Sequence, residues 1–185
     1  GDYIFYPAQF WPHKNHIYIL EGLKVLKEKY KLKINAVFSG SDKGNLSFTL
    51  KRAKELGVDS QLHYIGFVEE KEMPYLYKQA LALVMPTYFG PTNMPPLEAF
   101  KLECPVLYSD LPGLREQVQD AAVLLDLNDP ESMCMGIMKI LNNSPEIKWY
   151  VENGRKKVAS LESLDCWEVL KRIFDNFAIK LKCWK

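Results

Sequence analysis

The chain has 185 residues, 48% of them apolar and 25% charged, with 24 Lys and Arg against 23 Asp and Glu. A chain of that length buries roughly 70% of the surface it exposes when unfolded, so its core needs no disulfide or metal staple. The composition excludes a disordered tail, the near-neutral charge excludes a strongly basic nucleic-acid binder, and no apolar run approaches the roughly 20 residues of a membrane span.

Tyr3 to Tyr6 is a short aromatic and β-branched run and predicts a strand. A loop from Ala8 to Asn15 follows. His16 to Tyr30 then places Leu20, Leu23, Leu26 and Tyr30 on one face, which predicts an amphipathic helix. Ile34 to Phe38 is a second strand, and Leu46 to Leu56 a second helix with Gly57 as its C-cap. His63 to Ile65 is a third strand. Glu69 to Ala80 reads as helix, with Pro74 either a first-turn residue or the point after which the firm helix begins. Leu81 to Met85 is an apolar run of strand length, Met94 to Glu103 a helix opened by Pro95-Pro96, and Pro105 to Tyr108 a strand. A short helix from Gly113 to Gln119 and a strand from Ala122 to Leu125 complete the alternation. Three helices close the chain: Pro130 to Asn142, Pro145 to Leu161, and Asp165 to Leu181.

Strands that read as continuous apolar runs are expected where helices cover both faces of a parallel sheet. The fold class read from this alternation is α/β, a doubly wound parallel sheet with C-terminal helices, as one domain over residues 1–185. The chain opens at Gly1 without Met and enters an apolar strand by Ile4, so a piece of a longer protein is expected. Cys104, Cys134, Cys166 and Cys183 are far apart, form no CxxC pair and read as buried reduced thiols, which suits a cytoplasmic setting. On the last helix, Trp167, Leu170, Ile173, Phe174 and Phe177 share a face and read as core packing. Left unpaired, that face would promote self-association.

In an open parallel sheet, ligands bind beyond the carboxyl ends of the strands. Five loops leave those ends: Pro7 to Asn15, Ser39 to Gly44, Gly66 to Glu70, Pro86 to Asn93, and Ser109 to Gly113. Helix starts close behind three of them favour an anion, so a phosphate-bearing ligand is expected. None of the loops is a Walker A sequence or a GxGxxG. Lys14, just before a helix start, is either a cation for that phosphate or a solvated lysine. Glu98 is either a first-turn carboxylate favoured by the helix dipole or an acceptor for sugar hydroxyls. His13 and His16 form an H-x-x-H pair without a third ligand nearby, which makes a poor metal site. Phe10-Trp11 serves either as packing or as a base-stacking surface.

Residues Pro86-Thr-Tyr-Phe-Gly-Pro-Thr-Asn-Met-Pro-Pro-Leu-Glu-Ala99, Cys104-Pro-Val106 and Ser109-Asp-Leu-Pro-Gly-Leu-Arg-Glu116 together resemble the family 4 glycosyltransferases of GT-B architecture. Tyr6-Pro-Ala-Gln-Phe-Trp-Pro-His-Lys-Asn15 resembles the first donor loop of that family, and Gly66-Phe-Val-Glu-Glu-Lys-Glu-Met-Pro-Tyr-Leu-Tyr77 its base-side segment. Asp126 to Glu131 and Trp167 also fit. The resemblance implies the C-terminal, donor-binding half of a two-domain enzyme. The expected ligand is a UDP- or GDP-sugar, used for retaining, metal-independent transfer of a hexosyl group. The acceptor, a glycan or a lipid-linked molecule, would be held by the other domain, and the enzyme could sit at the inner face of a membrane.

The resemblance also implies roles. Lys14 matches the family's diphosphate lysine and Glu98 the second glutamate of E-x7-E, which holds the ribose. Gln9 stands where an arginine is usual, and Gly90 where the first glutamate is usual. Gly40, Val68, Phe89, Pro91, Thr92, Met94 and Leu97 are the further donor-binding candidates. Asn93 joins them, with backbone N–H groups near it and near Asn15 facing the diphosphate. The two departures leave open an alternative, a degenerate non-catalytic module acting in protein interaction.

Overall fold

The computed structural model describes residues 3–90, 93–163 and 165–183, and for Cys166 and Lys182 the backbone only. Six strands form one parallel sheet: β1 (Tyr3–Pro7), β2 (Asn35–Ser39), β3 (Leu62–Tyr64), β4 (Ala82–Met85), β5 (Val106–Ser109) and β6 (Val123–Leu125). Their order across the sheet is β3-β2-β1-β4-β5-β6. The helices are α1 (His16–Glu28), α2 (Leu46–Glu55), α3 (Met73–Gln79), α4 (Met94–Lys101), α5 (Leu114–Val118), α6 (Glu131–Leu141), α7 (Pro145–Glu162) and α8 (Cys166–Lys182). The alternation read from the sequence is therefore the observed fold.

The strand order reverses between β1 and β4. Right-handed crossovers running outward in opposite directions put their helices on opposite faces, and they part to leave a crevice between these two strands. Ile4 to Tyr6 and Ala82 to Met85 are buried throughout, as expected for central strands covered on both sides. At the β3 edge, His63 and Tyr64 are exposed, because a strand with one neighbour and short cover need not be apolar.

Helix packing sets the site's walls. Leu20, Leu23 and Leu26 of α1 are fully buried, and α1 packs against α2 and α6. On α4, Phe100 faces α7 so closely that a Cβ at Gly154 would stand 2.6 Å from Phe100 Cδ1. The absence of a side chain at Gly154 lets α7 clamp α4, the helix that carries Glu98.

Three expectations need correction. Helix α3 begins at Met73, not Glu69, with Pro74 in its first turn, where a missing N–H costs nothing. Cys104 and Cys134 are buried, and burial pushes their thiols up to about 12 and about 11, but Cys183 is exposed. The side chain of Cys166 lies outside the described residues. The apolar face of α8 is not core: Trp167 is 70% exposed, and Leu170, Ile173, Phe174 and Phe177 are exposed with it. Helical periodicity identifies an apolar face but not what it meets. No helix among the described residues is long and apolar enough to cross a membrane.

Candidate functional site

The loops after β1 and β4 meet over the crevice. The first stays near the sheet: Ala8 N–H donates to Ser39 O at 2.9 Å and Phe10 N–H to Ser41 O at 3.0 Å. Pro12 to Lys14 form a single 3-10 turn, and Asn15 enters α1 in the left-handed region at φ 55°. The second loop is tied to the first, because Tyr88 N–H donates to His13 O at 2.9 Å and the Thr87 hydroxyl to the same oxygen at 3.3 Å.

Lys14 points into this junction. Its Nζ donates to Asn93 Oδ1 at 3.3 Å, and its backbone carbonyl accepts from the buried Tyr6 hydroxyl at 2.8 Å. Burial holds its ammonium below the usual lysine range, so a bound anion would relieve an unfavourable state.

Asn93 is 4% exposed and sits at the centre of a network. Its Nδ2 donates to Tyr108 OH at 2.5 Å and to Gly90 O at 3.1 Å. Tyr108 OH donates to Gln117 Oε1 at 3.0 Å, and Gln117 Nε2 donates back to Asn93 O. The Asn93 amide also explains the glycine at position 90: a Cβ there would lie 2.2 Å from Asn93 Oδ1, at φ +157°. A side chain at 90 and the present Asn93 rotamer exclude each other.

Glu98 is at the fifth position of α4, beyond the first turn, so the helix dipole does not account for it. It is held instead by Tyr77 of α3, whose hydroxyl donates to Glu98 Oε2 at 2.7 Å. Burial and the adjacent carboxylate push the Tyr77 hydroxyl well above the usual tyrosine range, so it stays a donor. The α4 N-terminus is a reduced anion site. Pro95 and Pro96 have no N–H, which leaves Asn93 and Met94 as the donors there.

Two cavities adjoin at Pro7, Ala8 and Gln9. One, of about 330 Å³, is lined by Trp11, His13, Lys14, Asn93, Met94 and Pro95 among others. The other, of about 430 Å³, is lined by Gly40, Phe67, Val68, Glu70, Met73 and Glu98 among others. Gln9 stands between them, exposed, with Oε1 accepting from Trp11 Nε1 at 3.0 Å, which leaves its amide NH2 to donate. At Gly40 a Cβ would come 2.4 Å from Ala8 O at φ +135°, so only glycine lets the β2 loop lie against the β1 loop.

The structure thus brings Lys14, Gln9, Gly40, Val68, Asn93, Met94 and Glu98 around the two cavities. Phe89 and Gly90 lie on the β4 loop outside the cavity walls, with Phe89 exposed and edge-on to His13. Leu97 packs against the core. Pro91 and Thr92 lie outside the described residues. Phe10 is packing, buried and stacked on the His16 ring at 4.2 Å, whereas Trp11 reaches the cavity wall. His13 and His16 have different surroundings, and among the described residues no three His, Cys, Asp or Glu side chains group as a metal site. Tyr77, Tyr108, Gln117, Phe67, Glu70 and Met73 were not singled out by sequence reasoning. Phe67 and Glu70 had a legible signal, since they lie in a loop at a strand's carboxyl end.

The model of one protein family, described as Glycosyl transferases group 1, matches residues 1–157. The chain belongs to the group 1 glycosyltransferases. It is 28% identical over 142 residues to O-antigen chain mannosyltransferase B of Escherichia coli, covering 76% of this chain and 37% of that protein. It is also 28% identical over 130 residues to the O-antigen chain mannosyltransferase RfbU of Salmonella typhimurium, covering 70% of this chain and 36% of that one. The chain therefore spans little more than a third of the length of these relatives.

Among solved structures, the C-terminal domain of the group 1 family protein LpcC from Francisella tularensis superposes with a TM-score of 0.71 at 21% identity, covering 86% of both chains. Anabaena HepE in complex with UDP-glucose superposes with a TM-score of 0.78 at 14% identity, covering 96% of this chain and 49% of that one. These two share the fold of this group 1 glycosyltransferase chain.

Proposed function

We propose that this chain binds the nucleotide-sugar donor of a hexosyltransferase. The observation that carries this reading is the placement of Lys14 and Glu98 on adjoining cavities, with Gln9 between them, at the β1–β4 reversal. A nucleoside diphosphate linked to a sugar needs an acceptor for ribose hydroxyls, a cation for the diphosphate, and a further space for the sugar. Glu98, Lys14 and the cavity beside Trp11 and His13 supply these on two adjoining cavities.

The chemistry asked of the chain is modest. The bond between the anomeric carbon and the diphosphate oxygen breaks, an acceptor hydroxyl oxygen bonds to that carbon and gives its proton to the departing diphosphate, and charge develops on that leaving group. Lys14 and the Asn93 and Met94 N–H groups stabilise that charge, which is electrostatic rather than nucleophilic catalysis. We propose that this transfer retains the anomeric configuration, as the resemblance implies, and that it takes no metal, the cation at the leaving group being Lys14. The mannosyltransferase names of the two curated relatives make a mannosyl donor the first to try. A glycan or lipid-linked acceptor would reach the sugar from a second domain, residues 1–185 forming the donor domain.

The test is calorimetric titration of the chain with GDP, UDP and ADP, repeated on Lys14→Ala and Glu98→Ala. Saturable binding of one nucleotide, weakened about tenfold or more in both variants, is the expected result. The second reading, a degenerate interaction module, is favoured by the neutral Gln9 and by Gly90. No nucleotide binding, with a second domain supplied, would establish it.

A further inference from the structure

The identity of the base follows from one carboxylate in the larger cavity. This inference rests on the donor-binding reading above. With Glu98 on the ribose and Lys14 on the diphosphate side, the base must lie on the opposite side of the ribose. There it meets the loop leaving β3, where Phe67, Val68, Glu70 and Met73 line the cavity. Phe67 is 84% exposed, and with Met73 and Val68 it offers apolar surface to the flat face of a ring.

The edge of that ring meets a different chemistry. Glu69 pairs with Lys71 at 2.6 Å, but among the described residues Glu70 has no ion-pair or hydrogen-bond partner. An ionised carboxylate only accepts hydrogen bonds, and it accepts best from two donors side by side. Guanine presents such a pair, N1–H next to its 2-amino group. Uracil presents one N–H between two carbonyl oxygens, both of which a carboxylate repels. Adenine and cytosine each place one amino group beside a ring-nitrogen acceptor.

We infer that the donor is a guanosine diphosphate sugar, with Glu70 accepting from N1–H and the 2-amino group of guanine. Inosine diphosphate differs from GDP by loss of the 2-amino group alone, and so isolates half of the contact.

The experiment titrates the 185-residue chain with GDP, IDP, UDP and ADP by calorimetry, and repeats the series on Glu70→Gln and Lys14→Ala. Far-UV circular dichroism checks that each variant is folded. GDP should bind about tenfold or more tighter than UDP, with IDP between them. Glu70→Gln should abolish most of the GDP advantage, weakening GDP and relieving the repulsion of uracil in UDP, and Lys14→Ala should weaken all four by a common factor. Equal or tighter binding of UDP, or a GDP-to-UDP ratio unmoved by Glu70→Gln, overturns the assignment of guanine and leaves donor binding standing. Binding of none of the four, by the chain alone and with a second domain supplied, overturns both.

Discussion

The Tyr77 hydroxyl reaches from α3 to α4 and donates a 2.7 Å hydrogen bond to Glu98 Oε2. Its ring is held edge-on to Phe5 of β1, with centroids 5.1 Å apart. The sheet core thereby orients a carboxylate at the rim of the larger cavity. Replacing Tyr77 by Phe keeps the ring packing and frees the carboxylate. The expected outcome is a stability loss of about 1 kcal/mol and a several-fold weaker affinity for nucleoside diphosphates. Pyrophosphate, which has no ribose, should bind Tyr77→Phe as it binds the unaltered chain. A fold-wide defect would weaken both ligands, so the comparison separates positioning from structural damage.

Lys14 is expected to behave in the opposite way. Its Nζ contact with Asn93 Oδ1 is long, at 3.3 Å, so it contributes little to stability. Lys14→Ala should weaken pyrophosphate and every nucleoside diphosphate by a similar factor, about tenfold or more, with the thermal midpoint almost unchanged. Calorimetry together with thermal denaturation measures both.

Gly90 and Asn93 test the loop that leaves β4. In Gly90→Ala the new methyl must displace the Asn93 amide, which breaks its bonds to Gly90 O and Tyr108 OH. A cost of about 1–3 kcal/mol is expected, with weaker diphosphate binding as Lys14 loses its neighbour. Gly90→Ala combined with Asn93→Gly should cost less than the sum of the two single changes, because the second change removes the clash. A double-mutant cycle read by chemical denaturation checks this coupling.

His16 makes stability depend on pH. Its ring is fully buried among Phe10, Tyr6 and Phe38. Burial lowers its pKa from 6.5 to about 3. Between those values the unfolded chain binds a proton that the folded chain refuses, so stability falls as pH drops from 6.5 toward about 3. Lowering the pH from 6.5 to about 5 should remove about 2 kcal/mol through this residue. Urea denaturation at the two pH values, compared with His16→Phe, isolates that slope.

The exposed face of α8 should make the chain associate with itself. Trp167, Leu170, Ile173, Phe174 and Phe177 stand in solvent together. Sedimentation velocity is expected to show a concentration-dependent increase in mass, reduced by the double change Phe174→Glu and Phe177→Glu.

The sequence by itself determined the parallel sheet, the helices between its strands, and the loops where a ligand must bind. These depend on local period, on turn residues and on the apolar runs of Ala82 to Met85 and Ile4 to Tyr6, all readable along the chain. It also placed Lys14 and Glu98 near helix starts. Only the tertiary structure decided what holds them. Tyr77 lies 21 residues from Glu98, and Asn93 lies 79 residues from Lys14. A tyrosine on a helix reads as core until the fold shows its hydroxyl aimed at a carboxylate. The steric exclusion between Gly90 and Asn93, the burial of His16 and the exposure of α8 are likewise beyond any pattern. Periodicity records which residues share a face, whereas contacts between distant segments, and the solvent they exclude, exist only once the chain has folded.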